Sequence, residues 1–143
     1  MSKIAVVYWS GTGNTEAMAN EVAEGAKAAG AEVDVLTASE FGADKMDAYD
    51  EVAFGCPAMG AEELEDSEFE PMFSDCEGKL GGKKIALFGS YGWGDGEWMR
   101  NWVEQMEGAG ATVVGGEDAI CQEAPDEDAQ DELKAMGKQL AAI

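Results

Sequence analysis

The chain has 143 residues, enough for one domain with a proper core, and 45% of them are hydrophobic, which excludes a disordered chain. Nine basic residues against 30 acidic ones leave a net charge of −21, so nucleic acid and anionic membrane surfaces are repelled as partners. Histidine is absent, which removes Ser–His and Cys–His nucleophile pairs, histidine metal sites and the commonest general acid–base group. Cys56, Cys76 and Cys121 are widely spaced, with no Cys-x-x-Cys pair, which speaks against an iron–sulfur cluster or a structural zinc site. The apolar run Ile4 to Val7 is too short for a signal peptide or a membrane span, so a cytoplasmic protein is expected.

In chain order, residues 3–9 read as a buried strand that breaks into the small, polar loop Ser10-Gly11-Thr12-Gly13-Asn14-Thr15. A helix is predicted over 15–29, where Met18, Val22, Ala26 and Ala29 recur at helical spacing and Gly30 is the stop. A strand over 32–36 follows, then a short helix within 44–50 and a strand over 51–55. The next helix is predicted over 67–75, and the apolar run Ile85-Ala86-Leu87-Phe88 centres a strand over 83–90. In a helix over 96–107, Trp98, Met99, Trp102, Val103 and Met106 form a broad apolar face that reads as core rather than as cofactor contacts. A last strand over 112–119 leads to a last helix, opened by Pro125 and ending near Ala142, with the stripe Ala129, Leu133, Met136, Leu140 and Ile143.

Strands alternating with helices predict an α/β sandwich of three layers, a five-stranded parallel sheet in the order 2-1-3-4-5 with helices on both faces, as a single domain over 1–143. Ligands of such sheets bind outside the carboxyl ends of the strands, where the order reverses. That gathers the loops after Trp9, Gly55 and Ser90 around one site. Receiver domains share this topology but need acidic residues at the end of the first strand, where this chain has Tyr8-Trp9-Ser10.

The loop at 10–15 has the chemistry of an anion site, because the helix that follows offers unpaired N–H groups and a partial positive charge. It holds no Lys or Arg, so a phosphate there is bound by backbone amides and the hydroxyls of Ser10, Thr12 and Thr15, with Asn14 helping. A P-loop needs Gly-Lys followed by Ser or Thr, which is missing. A dinucleotide fingerprint needs a third glycine where Glu16 stands, and a carboxylate is a poor neighbour for a pyrophosphate. The pattern Ser/Thr-x-Thr-Gly-Asn-Thr, a mononucleotide loop, is matched at every position, and an ordinary polar strand-to-helix turn is the other reading. In the loop after the fourth strand, Ser90-Tyr91-Gly92-Trp93-Gly94, a tryptophan flanked by glycines reads as a stacking platform.

Ser-Gly-Thr-Gly-Asn-Thr at 10–15, Met59-Gly60 followed by Glu62, and Gly-Ser-Tyr-Gly-Trp-Gly at 89–94 closely resemble the short-chain flavodoxins of anaerobic bacteria, over the whole chain. The resemblance implies a non-covalently bound FMN and a one-electron carrier that stands in for ferredoxin, with no substrate turnover of its own. It implies that Ser10, Gly11, Thr12, Gly13, Asn14 and Thr15 hold the phosphate, that Trp93 covers the outer face of the flavin, and that Met59 lies on the inner side. Glu62 accepts from the flavin N3–H, backbone near Ala61, Gly92 and Trp93 meets the pyrimidine edge, and Ala58 and Ser90 lie near the ribityl chain. The Gly60 peptide flips so that its carbonyl meets N5 once N5 carries a proton, a change that glycine tolerates. Where relatives commonly carry a polar residue this chain has Ala61.

One net hydrogen bond of about 1 kcal/mol moves a one-electron potential by only some tens of millivolts. The crowd of Glu62, Glu63, Glu65, Asp66, Glu68 and Glu70 is therefore expected to add a field against the fully reduced, anionic flavin, giving a low potential. For Glu68 and Glu70 a solvated helix face is an equal reading. The expected partners are redox enzymes with basic docking patches, met by a monomer, since no apolar stripe remains beyond the core faces. A nicotinamide-dependent flavin or quinone reductase is the rival on the same fold.

Overall fold

The uninterrupted apolar residues Ile4, Ala5, Val6 and Val7 are fully buried at the centre of strand β1 (Lys3–Tyr8). The computed structural model describes residues 3–9, 13–57, 68–91, 97–114, 120–122 and 125–141. β1 pairs in parallel with β2 (Glu32–Thr37) on one side and β3 (Glu51–Gly55) on the other, and β3 pairs in parallel with β4 (Lys84–Tyr91). With β5 (Thr112–Val114) beyond β4, the order is β2-β1-β3-β4-β5, as the alternating pattern predicts.

The fifth position differs from the expected single strand over 112–119. It is filled by two pieces, β5 against Lys84–Ala86 and β6 (Ile120–Gln122) against Gly89–Tyr91. Five residues, 115–119, separate the pieces where β4 has only Leu87 and Phe88 between the paired stretches. Gly115, Gly116, Glu117 and Asp118 are poor strand formers, a signal that the apolar residues around them outweighed in the sequence reading. Residues 115–119 lie outside the described residues.

Alternating strand residues face two helical layers. Ile4, Val6, Ala53, Ala86 and Phe88 pack with Met18, Val22 and Ala26 of α1 (Asn14–Ala28) and with Leu133, Met136 and Leu140 of α5 (Glu127–Ala141). Ala5, Val7, Val52, Phe54, Ile85 and Leu87 face Met46 of the short α2 (Ala43–Met46), α3 (Phe69–Cys76) and α4 (Glu97–Gly108). On that side Phe54 meets Phe73 edge-on at 5.6 Å, and Trp102 meets Phe69 edge-on at 5.4 Å. Trp98, Met99, Trp102 and Met106 are all buried, as expected of a core face.

The helix ends follow local chemistry. Gly30 at φ 95° ends α1, with Gly30 N–H donating to the Lys27 carbonyl and Ala31 N–H to the Ala26 carbonyl, a Schellman closure that leaves Ala29 exposed. Pro125 does not open α5. Asp126 caps it, its Oδ1 accepting from Ala129 N–H at 2.8 Å and its carbonyl from Gln130 N–H at 2.9 Å, so the proline stands one residue before the cap.

Candidate cofactor site at the carboxyl end of the sheet

β1 ends where Trp9 N–H donates to the Gly55 carbonyl at 3.0 Å, fastening the exits of β1 and β3 together. Gly13 then starts α1 at φ 94°, a left-handed conformation that a Cβ disfavours although nothing lies within 4 Å of where one would stand. Its carbonyl accepts from Ala17 N–H at 3.0 Å, the first bond of the helix. Glycine supplies no side-chain cap, and the first turn of α1 presents backbone N–H groups with the helix dipole behind them.

Beside those amides lie two hydroxyls in an otherwise apolar setting. Thr15, 1% exposed, and Ser90, 5% exposed, are among the few buried polar residues, and their oxygens are 3.2 Å apart. This pair joins the start of α1 to the end of β4 across 75 positions of sequence. The exit of β3 is drawn to the same place. Cys56 N–H donates to the Phe88 carbonyl at 3.1 Å, and the Trp98 indole N–H donates to the Cys56 carbonyl at 3.2 Å. A Cβ on Gly89 would overlap the Cys56 carbonyl oxygen and lie 3.1 Å from the Trp98 ring, so the absence of a side chain there lets β3 and β4 close up under the site.

On the other side of α1's first turn, the Tyr8 hydroxyl donates to Glu16 Oε2 at 2.9 Å. Burial, then the Glu16 bond, raises the Tyr8 phenol above its ordinary range, so it remains a donor. Both side chains line a cavity of about 390 Å³ with Trp9, Gly13, Thr37, Ser39 and Glu68. The loop after β2 is held by a capping box: Glu40 accepts from Thr37 N–H at 2.9 Å and from the Thr37 hydroxyl at 3.0 Å, which lowers the Glu40 carboxyl.

Backbone N–H groups at a positive helix end and two buried hydroxyls suit a phosphate ester, and no residue in this first turn carries a basic side chain. Residues 6–136 match the family model described as Flavodoxin. The chain is 52% identical to the flavodoxin of Megasphaera elsdenii over 138 residues, covering 96% of this chain and 98% of that one. The chain belongs to the flavodoxin family. It is 49% identical to the flavodoxin of Clostridium beijerinckii, covering 96% of this chain and 99% of the other. The solution structure of two-electron reduced Megasphaera elsdenii flavodoxin superposes with a TM-score of 0.90 at 51% identity, over 98% of this chain and 99% of that one.

Of the residues expected at the flavodoxin site, Gly13, Asn14, Thr15 and Ser90 fall within the described residues, and Thr15 and Ser90 are brought into contact. Ser10, Gly11, Thr12, Ala58, Met59, Gly60, Ala61, Glu62, Gly92 and Trp93 lie outside them. Sequence reasoning missed three features. Thr37-x-x-Glu40 has capping-box spacing and could have been found. The Tyr8–Glu16 bond and the Trp98 donor to Cys56 join separate elements, and no spacing rule signals them. Among the described residues, no three His, Cys, Asp or Glu side chains are placed to hold a metal ion, and no helix is long and apolar enough to cross a membrane.

Proposed function

We propose that this chain is a single FMN-binding domain over 1–143, a cytoplasmic monomer that carries electrons at low potential between redox enzymes with basic docking patches, in the role of ferredoxin. As a flavodoxin it is an FMN-containing electron carrier rather than an enzyme. The observation that carries the reading of the site is the buried Thr15–Ser90 hydroxyl pair beside the uncapped N-terminus of α1.

FMN supplies the one-electron redox chemistry when bound. Residues Ser10 to Thr15 hold its phosphate, and Ala58 and Ser90 border the ribityl chain. Met59 and Trp93 flank the ring, with Ala61, Glu62 and Gly92 at its pyrimidine edge and Gly60 at N5. The net charge of −21 steers the chain to basic partners, and salt weakens that steering.

An anaerobic reductive titration of the purified holoprotein, followed by absorbance, tests this. Two resolved one-electron stages support a carrier. A single two-electron stage, or bleaching by NADH or NADPH without a second protein, supports a reductase instead. A colourless chain that takes up no added FMN overturns the cofactor assignment.

A further inference from the structure

Glu16 occupies the third helical position after Gly13, in the first turn of α1. A glutamate there commonly folds back onto the amide at the start of its own helix, completing a capping box. In this chain that amide end is the proposed phosphate site, so a folded-back carboxylate competes for the donors and repels the ligand's charge.

The side chain goes elsewhere. Glu16 Oε2 accepts from the Tyr8 hydroxyl at 2.9 Å, and both residues line the cavity that runs from Gly13 at the helix start to Thr37 and Ser39 after β2. Its chain neighbour Thr15 is buried and 3.2 Å from Ser90 at the end of β4. Neighbouring residues at one helix end thus engage different strands, Thr15 the end of β4 and Glu16 the end of β1. Glu40, another carboxylate near Tyr8, is taken up by Thr37.

We propose that Tyr8 is a positioning residue for flavin binding, its hydroxyl holding the Glu16 carboxylate at the end of β1 and clear of the phosphate. The inference rests on the proposed FMN site. Removing the hydroxyl releases Glu16 toward the amides, which penalises a ligand with a phosphate and spares one without.

The test is fluorescence titration of the full-length apoprotein with FMN and with riboflavin, which has no phosphate. Tyr8→Phe is expected to weaken FMN about fivefold, the scale of one helix-end carboxylate interaction, and riboflavin less than twofold. In a Glu16→Ala background, where no carboxylate remains to be released, Tyr8→Phe is expected to change FMN affinity less than twofold. Equal losses for both flavins, no loss of FMN affinity, or an undiminished effect in the Glu16→Ala background each overturn the inference while the FMN site stands. A wild-type chain that binds neither flavin overturns the proposed function, and the inference with it.

Discussion

Gly25 of α1 and Gly137 of α5 mark the crossing of the two helices on one face of the sheet, and neither leaves room for a side chain. A Cβ at Gly25 would overlap the Lys134 carbonyl oxygen and lie 2.7 Å from the Lys134 Cα. A Cβ at Gly137 would overlap the Val22 carbonyl oxygen and lie 2.9 Å from the Ala26 nitrogen. These obstacles are backbone, so no side chain can rotate aside. Ordinary C···O separations of about 3.3 Å require the helices to part by about 1 Å. A gap of that size forfeits roughly a quarter to a half of the dispersion energy at the contact, and overpacking of this kind costs about 1–3 kcal/mol. Alanine returns up to about 1 kcal/mol of helix propensity, less than the packing loss. We therefore expect Gly25→Ala and Gly137→Ala each to destabilise the chain by about 2 kcal/mol in urea unfolding followed by circular dichroism. Because one displacement relieves both overlaps, the double variant should lose less than the sum of the two. Gly108, at the end of α4 with nothing within 4 Å, is the control: there alanine should be neutral or stabilising by about 0.5 kcal/mol. A Gly25→Ala midpoint equal to or above wild type would mean that helix propensity outweighs packing at this crossing and that the glycine is not required.

Gly13→Ala, placing a Cβ on a residue at φ 94°, should cost about 1–2 kcal/mol in the same urea assay and weaken FMN in titration. Gly89→Ala drives a Cβ into the Cys56 carbonyl and should lower FMN affinity by about tenfold or more, measured by fluorescence quenching, because it displaces the strand that feeds residues 57–62. Tyr49 donates to Asp34 Oδ2 at 2.8 Å, and burial, then that bond, raises its phenol from 10.0 to about 12. The folded state therefore favours the protonated phenol, a contribution fully present below pH 10 and lost as pH rises toward 12; urea unfolding at several pH values should show a smaller loss in Tyr49→Phe than in wild type, the remainder coming from other raised groups such as Tyr8 and Cys76. Cys76 is fully buried and its thiol is pushed up to about 12, chiefly by burial, so in a Cys121→Ser variant Cys76 and the equally buried Cys56 should react with a disulfide reagent at pH 8 only after unfolding.

Fold and local boundaries were legible where one interaction dominates. β3 matches its expected bounds because a fully buried strand, apolar from Val52 to Gly55, is cut off by Asp50 on one side and Cys56-Pro57 on the other. Gly30 stops α1 through a bond pattern contained within six residues. The reading slipped where two signals competed. Val113, Val114 and Ile120 are strand formers, but the glycines and acids between them are not, and only pairing against β4 reveals a further strand at Ile120. Pro125 suits a first helical position, yet Asp126 offers a side-chain cap, and the cap sets the start.

The site divides along the same line. Gly13, Asn14 and Thr15 could be read from the sequence because a left-handed glycine and small polar residues at a helix start are a local pattern. That Thr15 meets Ser90 depends on the strand order, which puts β3 between β1 and β4, and on how closely the exits of those strands approach. The close approach comes from Gly55 and Gly89: a Cβ on the first would overlap the Phe88 ring, and one on the second the Cys56 carbonyl oxygen. In sequence both are unremarkable strand glycines, a weak signal of close backbone approach. Only in the folded sheet do they become the condition for bringing a helix N-terminus and a buried hydroxyl pair together. Substitutions at these two glycines should therefore lower cofactor affinity more than their distance in sequence from the loop at 10–15 suggests, through the spacing of the strand ends rather than through any group that touches the flavin.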